Sequence, residues 1–97
     1  MTTKQIKEEL LDIRMFYREH DFYMAWIKKG IKSKVISLVD KYNNAMENAP
    51  VTLLRVYIGL YCEAKTQELL AEDMGYSIHQ VNNWNVALLK YLQETLG

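Results

Sequence analysis

Cysteine, proline and glycine are scarce in this sequence, and each scarcity excludes a class of structure. The single cysteine, Cys62, cannot form an internal disulfide, which excludes a disulfide-stapled fold and favours a reducing compartment. One proline and four glycines leave few chain breaks, so long helices are favoured over many short strands. No apolar run approaches the roughly 18 residues of a membrane span, and the polar N-terminal segment lacks a signal-peptide core. We expect a cytoplasmic protein without a membrane segment.

Apolar residues are plentiful, whereas the side chains of catalysis and metal binding are few. Apolar residues make up 49% of the 97 residues, which is enough for the core of a compact domain. The two histidines, His20 and His79, have no cysteine or acidic cluster at metal-ligand spacing. The sequence contains no glycine-rich phosphate-binding loop, and no two of its acidic residues stand in a pattern typical of catalytic carboxylates. We therefore expect no enzyme activity, no metal and no cofactor.

The N-terminal part has the pattern of a strong amphipathic helix. Thr2 and Gln5 have capping-box spacing, so the helix should begin near Thr3. Apolar positions then recur at gaps of four and three, as in a heptad seam packed against another helix. These positions are Ile6, Leu10, Ile13, Tyr17, His20, Met24 and Ile27. So much apolar surface must be covered by the same chain or by a second one, and we predict a homodimer.

The chain around Gly30 leaves two alternatives open. Gly30 suits a helix C-terminus and Ser33 a new N-terminus, which together predict a helical hairpin. A second apolar stripe follows with similar gaps, so one long helix from 3 to about 48 is the other possibility. The stripe is Ile31, Val35, Leu38, Tyr42, Ala45 and Ala49. A lysine cluster at the same place is either a phosphate-binding patch or a solvated turn; it comprises Lys28, Lys29, Lys32 and Lys34.

Pro50 is the predicted boundary between two parts of the chain. Proline ends one helix and fits the first turn of the next. We predict a helical packing or oligomerisation segment over 1–49 and a three-helix domain over 50–97. The first helix of that domain should cover about Val51 to Glu63, with a buried face formed by Leu54, Tyr57, Ile58 and Tyr61.

The segment 66–86 has the signals of a helix-turn-helix. Thr66 can cap a short helix that ends at Gly75, where a positive φ is easily adopted. Ala71 is the small residue needed where two helices cross closely. Ser77 and Gln80 have capping-box spacing at the start of the second helix. The apolar contacts between the helices are predicted to be Leu70, Met74, Val81 and Trp84.

Tyr57-Ile58-Gly59-Leu60 and the segment 66–77 resemble the fourth region of sigma factors. More closely, residues 51–95 are similar to small phage-encoded regulators of the ArpU and RinA type. The resemblance implies an all-α fold with a three-helix DNA-binding domain, no cofactor, and transcription of phage genes in a bacterial host. By motif position the recognition helix is about Ile78 to Leu92. The residues implied to contact double-stranded DNA are Thr66, Gln67, Ser77, His79, Gln80, Asn82, Asn83 and Lys90.

Two features of the motif leave alternative functions open. The recognition helix has no Arg or Lys before Lys90, and Glu68, Glu72 and Asp73 make the preceding helix acidic. A helical adaptor that binds another protein, such as RNA polymerase, is one alternative, because a fold does not fix a function. A small subunit that recognises phage DNA during packaging is another.

Overall fold

The computed structural model describes residues 1–30 and 34–97, and all regular secondary structure in these ranges is helical. The described helices are α1 (Thr3–Arg18), α2 (His20–Lys28), α3 (Lys34–Met46), α4 (Val51–Tyr57), α5 (Gln67–Met74) and α6 (Ile78–Leu96). A π-helical segment, Ile58–Cys62, continues α4 without a break. The predicted all-α fold is confirmed.

The N-terminal part is a bent hairpin and not one long helix. Helix α1 begins with the predicted capping box: Gln5 N donates to Thr2 Oγ1 at 3.2 Å, and Thr2 N donates to Gln5 Oε1 at 2.8 Å. Glu19, with φ −106° and ψ 34°, separates α1 from α2, a break that the sequence did not predict. Gly30 then adopts φ +78°, and α3 folds back against α1. The alternative of one helix to about residue 48 is wrong, and the predicted cap at Ser33 lies outside the described residues.

One hydrophobic core joins the two predicted segments, 1–49 and 50–97. Helix α1 packs against α3, the π-helical segment and α6, so its apolar face is buried within the chain. Ile6, Leu10 and Ile13 are each fully buried. The later positions of the same stripe differ, because Met24 is half-buried and Ile27 is exposed. Only the α2 part of the stripe therefore stays uncovered by the described residues.

The buried face of α4 and its π-helical continuation differs from the prediction. Ile58 was expected in the core but is exposed, and Val56 and Leu60 are buried instead. Gly59 lies buried against Leu70 of α5. Tyr57 and Tyr61 are buried as predicted, so the buried face is shifted towards Val56 and Gly59, the side on which Leu70 of α5 lies.

Arg14 of α1 binds the chain where the π-helical segment ends. Its guanidinium donates to the carbonyl oxygens of Leu60, Ala64 and Lys65 at 3.3, 3.0 and 3.2 Å. Ala64 has φ +54°, and Lys65 N donates to Gly59 O at 3.0 Å, which closes the helix end in a Schellman-like turn. Carbonyls at a helix end lack partners within the helix, so a cation there satisfies them.

Buried tyrosines tie the helices together through their hydroxyl groups. Tyr42 of α3 donates to Glu9 of α1 at 2.7 Å, and Tyr57 of α4 donates to Asn43 of α3 at 2.8 Å. Burial, which disfavours the charged phenolate, raises the pKa of both tyrosines above the ordinary value of 10.0. In Tyr42 the hydrogen bond to Glu9 raises the pKa further.

We expect the free energy of unfolding to fall as the pH rises above about 10. In that range the unfolded chain loses tyrosine protons that the folded chain keeps, so alkali favours unfolding. Each such tyrosine contributes a slope of about 1.4 kcal/mol per pH unit until the pH reaches its raised folded-state pKa. Urea unfolding between about pH 8 and pH 11 measures the slope. Tyr42→Phe should make it shallower; equal slopes for parent and variant would contradict the assignment.

Candidate nucleic-acid interface

Helices α5 and α6 are joined by a three-residue turn of the helix-turn-helix type. Thr66 Oγ1 accepts from Leu69 N at 3.1 Å and caps α5. Gly75 ends α5 in the left-handed conformation, with φ +74°, as predicted. Ser77 Oγ accepts from Gln80 N at 3.1 Å and caps α6. This hydrogen bond is one of the two that make up the predicted capping box of Ser77 and Gln80. The hydrogen bonds found among the described residues do not include the second one, from Ser77 N to the Gln80 side chain.

The two helices are held at a close crossing by small and apolar side chains. Leu70, Ala71 and Val81 are buried as predicted, whereas Met74 and Trp84 are half-buried. The Trp84 ring meets the exposed Tyr76 ring edge-on, with centroids 4.8 Å apart.

A second close approach, at Gly59, was missed by the sequence reasoning. A Cβ atom there would lie 2.5 Å from Leu70 Cδ1, so a larger residue at this position requires the buried Leu70 side chain or α5 to shift. The sequence feature that could have predicted this contact is Gly59 itself, because a glycine inside a helical pattern often indicates tight packing.

The exposed face of α6 carries polar side chains from its first turn onward. The helical period places His79, Asn83, Val86 and Lys90 on one face, and all four are exposed. Asn82 is exposed on the α1 side of this face. We call these five residues the α6 polar face. An α-helix of this kind fits the major groove, where amide side chains can pair with adenine and an apolar group can meet a thymine methyl.

The other predicted contacts surround the start of each helix. Thr66 and Ser77 are exposed, but their hydroxyl oxygens already accept the capping hydrogen bonds. Gln67 and Gln80 are half-buried, which leaves them less surface than Asn82 or Asn83.

Lys7 of α1 adds a positive charge beside the α6 polar face. The sequence did not predict this neighbouring charge. A shallow depression of about 220 Å³ is lined by Thr3 and Lys7 of α1 together with Val86, Leu89, Lys90 and Gln93 of α6. Thr3 Oγ1 and Gln93 Oε1 are 3.1 Å apart and join the two helices there. Lys7 and Lys90 therefore border the same surface. No local pattern could have indicated this, because the two lysines meet only through the packing of α1 on α6.

The acidic side chains of α5 are partly neutralised by a neighbouring lysine. Lys65 Nζ lies 2.8 Å from Asp73 Oδ2 and 3.7 Å from Glu63 Oε1. The hydrogen bond to Asp73 stabilises the ammonium form and raises the pKa of Lys65. Glu68 and Glu72 remain exposed on α5. The negative charge near the motif is thus reduced but not removed.

The lysine cluster of the hairpin belongs to other elements. Lys28 and Lys29 are exposed at the end of α2, and Lys34 is exposed at the start of α3. Lys32 lies outside the described residues. The described lysines of the predicted phosphate patch thus lie at the end of α2 and the start of α3, whereas the α6 polar face lies on α6 and has Lys7 of α1 beside it.

Other kinds of site find little support among the described residues. Burial raises the pKa of Cys62, the opposite of what activates a cysteine nucleophile. Residues 1–30 and 34–97 contain no group of three His, Cys, Asp or Glu side chains placed to hold a metal ion. None of the helices in these ranges is long and apolar enough to cross a membrane.

Comparison with known proteins gives no relative from which a function could be transferred. No family model matches the sequence, and neither a curated protein nor a solved structure is significantly similar to it.

Proposed function

We propose that this chain binds double-stranded DNA sequence-specifically through α6 and regulates transcription of phage or prophage genes in the cytoplasm of a bacterial host. The resemblance of residues 51–95 to sigma-like helix-turn-helix regulators supplies the biological setting. In this proposal the chain is a binding protein and not an enzyme, and it uses no cofactor.

The observation that carries the proposal is the α6 polar face. Its amide and imidazole groups stand on the exposed side of a helix whose other side is locked into the core by Val81, Leu88 and Leu92. A recognition helix needs this combination, because base readout requires side chains on a rigid support. Lys7 and Lys90 supply the phosphate contacts that α6 lacks nearer its N-terminus.

A protein-binding adaptor, for example one that binds RNA polymerase, is the second candidate. The observation in its favour is the acidic surface of α5, where Glu68 and Glu72 are exposed. Acidic side chains repel phosphate, whereas they suit a basic protein surface. A DNA-packaging subunit would use the same α6 polar face and differ in the sequence it recognises.

The test of DNA binding is a gel shift at low salt with the DNA that flanks the gene, followed by selection from random DNA. We expect an A·T-containing half-site, because asparagine amides pair bidentately with adenine for about 1–3 kcal/mol of discrimination. Asn82→Ala and Asn83→Ala should each flatten base preference at one or two positions. Asn44→Ala, an exposed amide on α3, is the control. No retardation together with pull-down of polymerase would favour the adaptor.

The salt dependence of binding should reveal which lysines contact phosphate. Replacing Lys7 and Lys90 by Gln should make the slope of log affinity against log salt shallower by about two, since each lost phosphate contact removes about 0.9. The matched pair Lys28 and Lys29, replaced in the same way, tests the predicted patch at the hairpin. Fluorescence anisotropy of labelled DNA measures both slopes. An unchanged slope for Lys7 and Lys90 would remove α1 from the interface.

A further inference from the structure

Val86 is the apolar member of the α6 polar face. It is 58% exposed, whereas the neighbouring Leu88 and Leu89 are buried in the core. A single exposed valine is ordinary on a protein surface. The position of this one is not, because Asn83 lies three residues before it and Lys90 four residues after it on the same side of the helix.

The neighbours of Val86 are the groups that the proposed complex places against DNA. Asn82 and Asn83 stand one turn before it, so their side chains adjoin it on the helix surface. Val86 also lines the depression of about 220 Å³ together with Lys7 and Lys90. Along α6 the base-reading amides of the proposal therefore precede Val86, and a phosphate-binding lysine of the proposal follows it. A duplex that contacts both covers Val86.

The rise of the α-helix determines which base pair Val86 meets. At about 1.5 Å per residue, Val86 stands about 4.5 Å along the axis from Asn83 and about 6 Å from Asn82. Neighbouring base pairs are stacked about 3.4 Å apart. When α6 lies along the major groove, Val86 therefore meets a base pair one or two steps beyond the adenine that an amide reads.

The chemistry of the side chain selects the base. An isopropyl group neither donates nor accepts a hydrogen bond, and of the four bases only thymine presents a methyl group in the major groove. We propose that Val86 is a specificity-determining residue that contacts the C5-methyl group of a thymine one or two base pairs beyond the adenine read by Asn82 or Asn83. This inference rests on the proposed function, since it requires α6 to lie in the major groove.

The test uses the DNA site that the parent chain selects from random sequence. In labelled duplexes each thymine is replaced in turn by deoxyuridine, which lacks only the C5-methyl group, and fluorescence anisotropy at one salt concentration gives the affinities. One replacement in each half-site should weaken binding of the parent about fourfold, the effect of returning one buried methyl group to water. That thymine should lie one or two base pairs from the position at which Asn82→Ala or Asn83→Ala flattens base preference.

The variant Val86→Ser identifies the side chain that makes the contact. Serine and valine have similar helix propensities and the position is exposed, so the variant should fold as the parent does. It should bind the thymine and deoxyuridine duplexes with nearly equal affinity, because the methyl group then has no apolar partner. Val51→Ser is the matched control, at a valine of α4 that is 72% exposed and does not line the depression. It should keep the fourfold difference.

The outcomes separate this inference from the proposed function. A chain that binds its selected DNA and tolerates every deoxyuridine would overturn the inference alone. A methyl effect of the same size in Val86→Ser and in the parent would do the same. A chain that retards no DNA would overturn both.

Discussion

Replacing Arg14 by alanine should lower the free energy of unfolding by about 3 kcal/mol, because hydrogen bonds from a charged donor each contribute about 1.5–3 kcal/mol. The guanidinium donates to the carbonyls of Leu60, Ala64 and Lys65, and the partial exposure of the site keeps the expected loss below the sum of the three. Without Arg14, these three carbonyls lose their charged donor. Helix α1 also loses its hydrogen bonds to the segment between the π-helical segment and α5. Urea unfolding followed by circular dichroism measures the change.

Two further variants separate this contact from a general effect of charge. Arg18→Ala removes an exposed arginine one turn later on α1 and should change stability by no more than about 0.5 kcal/mol. Arg14→Lys keeps the charge but not the planar fork, so it should lie between parent and alanine variant. If Arg14→Ala and Arg18→Ala proved equally mild, the three hydrogen bonds would not contribute to stability.

Gly59→Val should destabilise the fold by about 3 kcal/mol, at the upper end for overpacking a core. The new Cβ would lie 2.5 Å from Leu70 Cδ1, so either the Leu70 side chain or the whole of α5 must move. Because α5 is the first helix of the helix-turn-helix, the variant should also weaken any DNA binding. Thermal or urea unfolding gives the loss of stability.

A double-mutant cycle identifies the cause of that loss. Leu70→Ala alone should remove about 2–5 kcal/mol, the usual range for a buried leucine. In the double variant the space left by Leu70 accommodates the valine, so the loss should be smaller than the sum by at least about 1 kcal/mol. Ala87→Val, at an exposed position of α6, controls for a β-branched side chain in a helix. Strict additivity would show that Gly59 is not restricted by Leu70.

Helix ends that carry a capping side chain or a left-handed glycine were predictable from the sequence, because their determinants are local; the break at Glu19 has neither and was not predicted. The caps at Thr2, Thr66 and Ser77 use hydrogen bonds between residues three apart, and the pattern of side chains contains all the information needed. The left-handed glycines at 30 and 75 are equally local. The all-α class and the turn between α5 and α6 are therefore confirmed, and of the two alternatives left open at Gly30 the structure has the hairpin.

The remaining features depend on which helices meet in space. The sequence around Ile58 fits two faces of a helix nearly equally well, and the packing of Gly59 on Leu70 selects the one that leaves Ile58 exposed. Lys7 is 83 positions from Lys90 in the sequence, yet both line one depression. The DNA-contacting residues stay a prediction, since exposure of Asn82 and Asn83 is necessary for base readout but does not demonstrate it.

The absence of buried residues in α2 has a consequence for its internal motion. A helix of nine residues is too short to be stable in water without packing. The core of α1, α3, α4 and α6 does not have to open when α2 unwinds, because α2 has no fully buried residue and contacts that core through the half-buried Tyr23. Opening of α2 is therefore a local event with a free energy well below that of global unfolding, and its amide protons exchange with solvent ahead of those of α6.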